Sequence, residues 1–223
     1  MTKPANPEEI SLFRWADQLP AALWDDLAAR PPLEAAQAAE AVLAEGCLSL
    51  PLLGRGYVVD PGARRLWEAA RPRHRLGFQT GLVLVSHLAR AIGVPTAGCL
   101  VTPQELPGGG LFFSGPHAVG TARLEKRFGR DPEGLLAAAR ALGGQPCPGA
   151  EVSVMVPGLP RLPLYVLLWP ADEEFEARAM VGLDAHAHHQ LALDGIWALT
   201  NLLVGRLIDA TAQPLAGKEQ DLG

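Results

Sequence analysis

The sequence predicts an α+β fold: a small antiparallel sheet meander with packed helices and a helical N-terminal extension. Three observations predict it. "EVSVMV" alternates by two, as a half-buried strand does, and "LPLYVLLW" and "RAMVGLD" follow as two further strand-like runs. The connections between these runs are short, which favours an antiparallel meander. After them, Leu193, Ile196, Leu199, Leu203 and Leu207 recur at spacings of three and four, the stripe of an amphipathic helix laid over the sheet.

The remaining elements follow in chain order. Residues 7 to 45 read as helices. The first has Asn6 as cap, Pro7 at the first helical position and two acids in its first turn. The second, "PLEAAQAAEAVLAEG", is made of strong helix formers and stops at Gly46. "GRGYVVDPGARRLWEA" reads as a hairpin turned by Asp60-Pro61-Gly62. Gly77 to Ile92 carries a helical apolar stripe that contains His87, and Gly93 and Pro95 end it. "AGCLVTPQELPGGGLFFSGP" reads as strand, Gly-rich turn and strand, with "PGGG" the hairpin turn. Two helices follow, roughly His117 to Phe128 and Asp131 to Leu142. The expected organisation is a helical extension over residues 1–49, an α+β body over 50–210 and a frayed tail over 211–223.

Composition excludes several classes. The net charge is −5 in 223 residues, and the densest basic run, "RPRHR", has no aromatic stacking platform beside it, so nucleic acid is not an expected partner. The longest aliphatic runs fall far short of the roughly 20 residues that cross a bilayer, and "MTKPANPEEISLF" lacks a signal-peptide apolar core, so no membrane partner is expected either. Three cysteines about fifty residues apart form neither a Cys-x-x-Cys pair nor a disulfide framework, which fits a reducing, cytoplasmic setting. No Gly-x-Ser-x-Gly elbow, His-Glu-x-x-His or phosphate loop occurs.

The candidate site is the stretch "LDAHAHHQL", which holds three of the six histidines. In a meander, the acids Asp172, Glu173 and Glu174 fall at the rim opposite Asp184, about 20 Å away for a six-residue strand. Arg161 falls at the same end as Asp184, and an ion pair between them is expected. In a helix His186 and His189 share a face while His188 points away; in a strand His186 and His188 share one. Only an irregular turn gathers all three. Three readings stay open: histidines at a helix start bonded to backbone, a metal or axial-cofactor site built from His186 and His189 with Asp184, and a catalytic histidine oriented by Asp184.

Pro160, Arg161, Pro163, Trp169, the run Asp172 to Phe175, and Asp184 before a helix resemble the hallmark of a bacterial and archaeal family known as domain of unknown function three-seven-eight-six. "GYVVD", "GVPTAG" and "TPQELPGGGLF" extend the resemblance over roughly residues 50 to 208. Some members are joined to a four-cysteine iron–sulfur module of the kind associated with corrinoid methyl transfer. The resemblance therefore implies a binding or accessory protein for a metal, corrinoid or other tetrapyrrole system, its ligand otherwise unspecified. Members typically carry an acid at Asp194, whereas the histidines around Asp184 are local to this sequence. Two alternatives stand beside that reading. One is a small enzyme whose Arg161/Asp184/His pocket acts on an anionic small molecule. The other is an interaction module that forms a homodimer through the Ala-rich N-terminal helices.

Overall fold

The protein is represented by a computed structural model that describes residues 14–211. Its elements are α1 (Ala21–Ala28), α2 (Pro32–Ala39), β1 (Val42–Ala44), β2 (Cys47–Leu52), β3 (Arg55–Asp60), β4 (Arg65–Glu68), α3 (Phe78–Arg90), β5 (Leu100–Val101), α4 (Gly109–Phe112), α5 (Thr121–Phe128), α6 (Pro132–Ala141), β6 (Gln145–Pro146), β7 (Val152–Leu159), β8 (Leu162–Trp169), β9 (Arg178–Asp184) and α7 (Leu193–Ala210). The strands form two antiparallel sheets, ordered β1-β2-β3-β4 and β5-β9-β8-β7-β6. The α+β class and the antiparallel meander therefore stand, with a second sheet where the sequence reading gave a hairpin.

The β7-β8-β9 meander pairs Leu164 with Leu183 at one end and Trp169 with Arg178 at the other. That register puts the Asp172–Glu174 turn and Asp184 at opposite ends of the sheet. On β8, Leu162, Leu164, Val166 and Leu168 are fully buried, as a central strand requires. α7 joins the same hydrophobic core through Ile196, Leu199, Leu203 and Leu207, each fully buried. α3 packs against both α7 and α1, and α2 packs against α3. The buried faces of α1 (Trp24, Leu27) and α2 (Ala35, Ala36, Ala39) join the same hydrophobic cluster as both sheets.

Three expectations change. The helix predicted to run to Gly46 ends at Ala39: Glu40 takes a left-handed φ of 50°, and β1 and β2 follow. Cys47–Leu52 alternates by two, with Leu48, Leu50 and Leu52 buried, so the strand signal was present behind the run of helix formers. The "PGGG" segment is no hairpin turn. Thr102 donates its N–H and hydroxyl to Glu105 Oε2 at 2.6 and 2.7 Å, closing a 3-10 turn over Pro103–Glu105. Gly109 then starts α4 so close to the Pro103 carbonyl that a Cβ there would overlap it, which is why glycine stands at that position. Most of the helix expected from Asn6 lies outside the described residues; the part described is one 3-10 turn, Ala16–Gln18. The expected tail from residue 212 onward also lies outside them.

His87 is fully buried in α3, with Nδ1 3.2 Å from the Gln190 carbonyl and Nε2 without a well-formed hydrogen bond. Burial drives its pKa down to about 4; the carbonyls of Gln190 and Ala39 oppose this, and the nearby Arg30 and Arg161 charges reinforce it. An unfolded imidazole takes up its proton near pH 6.5, whereas the folded one waits until about 4. Stability from this residue is therefore complete above pH 6.5 and erodes as the pH falls toward 4, by about 3 kcal/mol in all. Urea denaturation of the wild type and His87→Leu at pH 7 and pH 4.5 should show a shallower pH dependence in the variant.

Candidate functional site

Two places collect polar side chains: the end of β9, and a cleft between the first sheet and α7. At the first, a 3-10 turn over Ala187–His189 does what no regular element could and gathers the three imidazoles. The His186 and His189 ring centroids are 5.3 Å apart, and those of His188 and His189 are 3.9 Å apart. His186 Nδ1 lies 2.8 Å from the Pro95 carbonyl and His188 Nδ1 3.0 Å from the Ala185 carbonyl. A carbonyl only accepts, so both neutral rings carry their proton on Nδ1. His189 has its pKa lowered, first by partial burial and then by the charges of His188 and His186.

Asp184 and Arg161 do not form the expected ion pair. The Asp184 carboxylate, 1% exposed, accepts N–H bonds from Ala97 (2.9 Å), Gly98 (2.8 Å) and His186 (2.9 Å). Three amides already satisfy its charge. The Arg161 guanidinium donates to the carbonyls of Gly93 (2.9 Å) and Ala38 (3.2 Å) and pairs with Glu40 at 2.9 Å. Gln190 Nε2 donates to the Val94 carbonyl at 2.8 Å, and Ile92 N–H to the His189 carbonyl at 3.2 Å. Every candidate residue here except His188 and the His189 ring thus holds the strap of residues 92–98 in place. Among the described residues no three His, Cys, Asp or Glu side chains are grouped to hold a metal ion. His186 and His189 find no third ligand in Asp184, whose oxygens are committed to backbone amides.

The second place is a cleft of about 450 Å³, within the range of small-molecule sites. Arg55 and Tyr57 of β3, Glu68 of β4, His74 before α3, Gln79 and Thr80 in its first turn, Arg123 of α5 and the Asn201–Asp209 face of α7 line it. Arg206 is its anchor. The side chain is 9% exposed, and Nη1 donates to the Leu52 and Leu53 carbonyls at 2.6 and 3.1 Å while Nη2 donates to Tyr57 Oη at 2.7 Å. All three partners are neutral, and among the described residues no carboxylate lies within 4.0 Å of this guanidinium. Burial, the largest cause, presses its pKa below the usual arginine value.

Glu68, 5% exposed, is compensated by Arg71 from outside the cleft, through Nε at 3.1 Å and Nη2 at 2.8 Å, and by Arg55 of the lining at 3.9 Å. The Arg71 hydrogen bonds hold this carboxyl below its ordinary pKa against the effect of burial. Gln79, 7% exposed, makes no side-chain hydrogen bond among the described residues. Asn201 Nδ2 is shielded from water and also unpaired. Gly205 sits in the middle of the 18-residue α7, yet a Cβ built there meets nothing within 4 Å.

The sequence carries one signal for this cleft. Arg206 lies three residues after Leu203 and seven after Leu199, so it falls on the buried stripe of α7. A cation on that stripe must either reach water or find acceptors inside. Apart from its neighbours on α7, the lining residues come from β3, β4, α3 with the loop before it, and α5, and only the fold assembles them.

A family model described as Domain of unknown function (DUF3786) matches residues 31–206, well over half of the chain. No curated protein and no solved structure matches.

Two substitutions check this geometry. Gly205→Ala adds a methyl group to open space and removes the entropic cost of a helical glycine, so it should raise stability by roughly 0.5–1 kcal/mol in thermal denaturation. Asp184→Ala strips the acceptor from three amides and should lower stability by about 3 kcal/mol in urea titrations.

Proposed function

The chain belongs to the family described as a domain of unknown function (DUF3786), and we propose that it is a binding protein that holds a small polar molecule in the Arg206 cleft. The observation that carries this reading is the unmet hydrogen-bonding capacity around one cavity. Gln79 and Asn201 line it with amides that lack partners, and Gly205 leaves it unfilled. Buried polar groups are ordinarily satisfied, so two side-chain amides without partners beside one open space are groups that a ligand can complete. Turnover is not part of the proposal, because Glu68, the buried carboxylate of the lining, is fixed by the Arg71 fork.

A cytoplasmic setting belongs to the same reading and is supported by Cys47, Cys99 and Cys147, all unpaired. No helix among the described residues is long and apolar enough to cross a membrane. An accessory role in a metal, corrinoid or other tetrapyrrole system rests on the family resemblance alone. Dimerisation through α1 and α2 finds little support, since their apolar faces are turned into the core and Leu33 is the large apolar side chain they leave exposed, at 61%.

Thermal melts of the full chain against millimolar panels of sugars, amino acids, nucleosides, carboxylates and phosphates test the reading, with Gly205→Trp as the blocked control. At least one class should raise Tm in the wild type, by roughly 5–10 °C at a hundredfold excess over Kd, and leave the blocked protein unmoved. Equal shifts in both proteins, or none with any class, would refute ligand binding in the cleft.

A further inference from the structure

We propose that the molecule this cleft takes is an oxyanion-bearing one, a carboxylate or phosphate compound docked on the free edge of Arg206 and closed over by Arg123. The inference rests on the cleft being a ligand site and names the chemistry that site selects. It begins with donors. A guanidinium carries five N–H groups in a rigid fork. Arg206 uses two on Nη1 and one on Nη2, all for neutral acceptors of the protein. Its Nε–H and the second Nη2 hydrogen have no partner among the described residues. These are the donors that together can grip two oxygens of one carboxylate or phosphate.

The charges point the same way. Three guanidiniums in the lining (Arg55, Arg123, Arg206) face two carboxylates, Glu68 and Asp209. Glu68 is already neutralised from behind by Arg71, and Asp209 lies exposed at the rim. Arg123 is half-buried and forms no ion pair among the described residues. The cleft is therefore locally positive in a chain whose net charge is −5. A buried cation whose direct partners are all neutral is unfavourable, and with Glu68 already held by Arg71 an anion from solution can supply the counter-charge. The cavity, at about 450 Å³, is larger than an oxyanion headgroup needs. The remaining space runs past Gln79, Asn201 and Gly205, so the body of the molecule carries further hydrogen-bonding groups and lies along α7.

Calorimetric titration of the full chain with succinate and with inorganic phosphate tests the proposal, with succinamide as the uncharged probe of similar shape. Wild type should bind at least one anion and not succinamide. Arg123→Gln should weaken that binding about tenfold, the loss of one charge-assisted contact, and Gly205→Trp should abolish it. Arg206→Met removes the hairpin anchor as well as the binding edge, so Arg123→Gln, which breaks no hydrogen bond or ion pair among the described residues, carries the test. The tighter of the two anions identifies which oxyanion class is meant. Succinamide binding that Gly205→Trp blocks, with both anions silent, would overturn the anion assignment and leave the cleft as a ligand site. Anion binding that survives both variants would place the anion elsewhere and overturn the assignment too. Silence from all three probes, together with flat thermal panels, would end both readings.

Discussion

One guanidinium joins the two halves of this fold. Arg206 leaves the last helix and takes the carbonyls of Leu52 and Leu53 at the tip of the β2–β3 hairpin. Leu53 and Gly54 both have positive φ, 49° and 76°, the backbone of a tight two-residue hairpin turn. Such a turn exposes carbonyls that need donors, and Arg206 supplies them. Leu53 N–H in turn reaches the Gly158 carbonyl of β7 at 2.8 Å, and Gly54 sits so near the Leu142 carbonyl that a Cβ would be 2.9 Å from it. The hairpin tip is thereby lodged among α7, β7 and the end of α6. The cleft beside Tyr57 and Arg206 follows from where that tip stops.

The opposite corner uses the same physics for a different end. Residues 92–98 connect α3 to β5 without a ladder of their own, so their backbone groups must be satisfied by side chains. Arg161, Asp184, His186 and Gln190 each take one or more of them. Ionisable residues close together at the end of a sheet therefore need not form a reactive centre. Here two histidines present Nδ1 to carbonyls, and an aspartate replaces the strand partner that Ala97 and Gly98 lack.

Periodicity made the second sheet legible: the three runs of β7, β8 and β9 and the stripe of α7 all lie where their spacing put them, and the opposite placement of the Asp172 turn followed from reversing the chain twice. The first sheet was half legible, because the Asp60-Pro61-Gly62 turn announces β3 and β4 while an alanine-rich run hides β1. Local propensity misled where one residue's backbone state decided the outcome, as at Glu40, and where a capping interaction competed with a turn, as at Thr102 and Glu105. The site was the least legible part. Arg161 and Asp184 were placed at one end correctly, but sequence spacing cannot say that backbone amides will claim Asp184, and carbonyls and Glu40 will claim Arg161, before the two meet. Arg206 was visible as a charge on an apolar stripe, yet its partners are about 150 residues away along the chain.

The triple attachment of Arg206 also bears on how the cleft would respond to an occupant. Its guanidinium plane is already fixed by two carbonyls and a phenol, and α7 and the hairpin tip that frame it are parts of the hydrophobic core. No rotamer search and no loop closure stands between the empty and the filled state at that point. Recognition would then resemble a key meeting a cut lock, with the ordering entropy settled during folding and affinity governed chiefly by the complementarity of the guest.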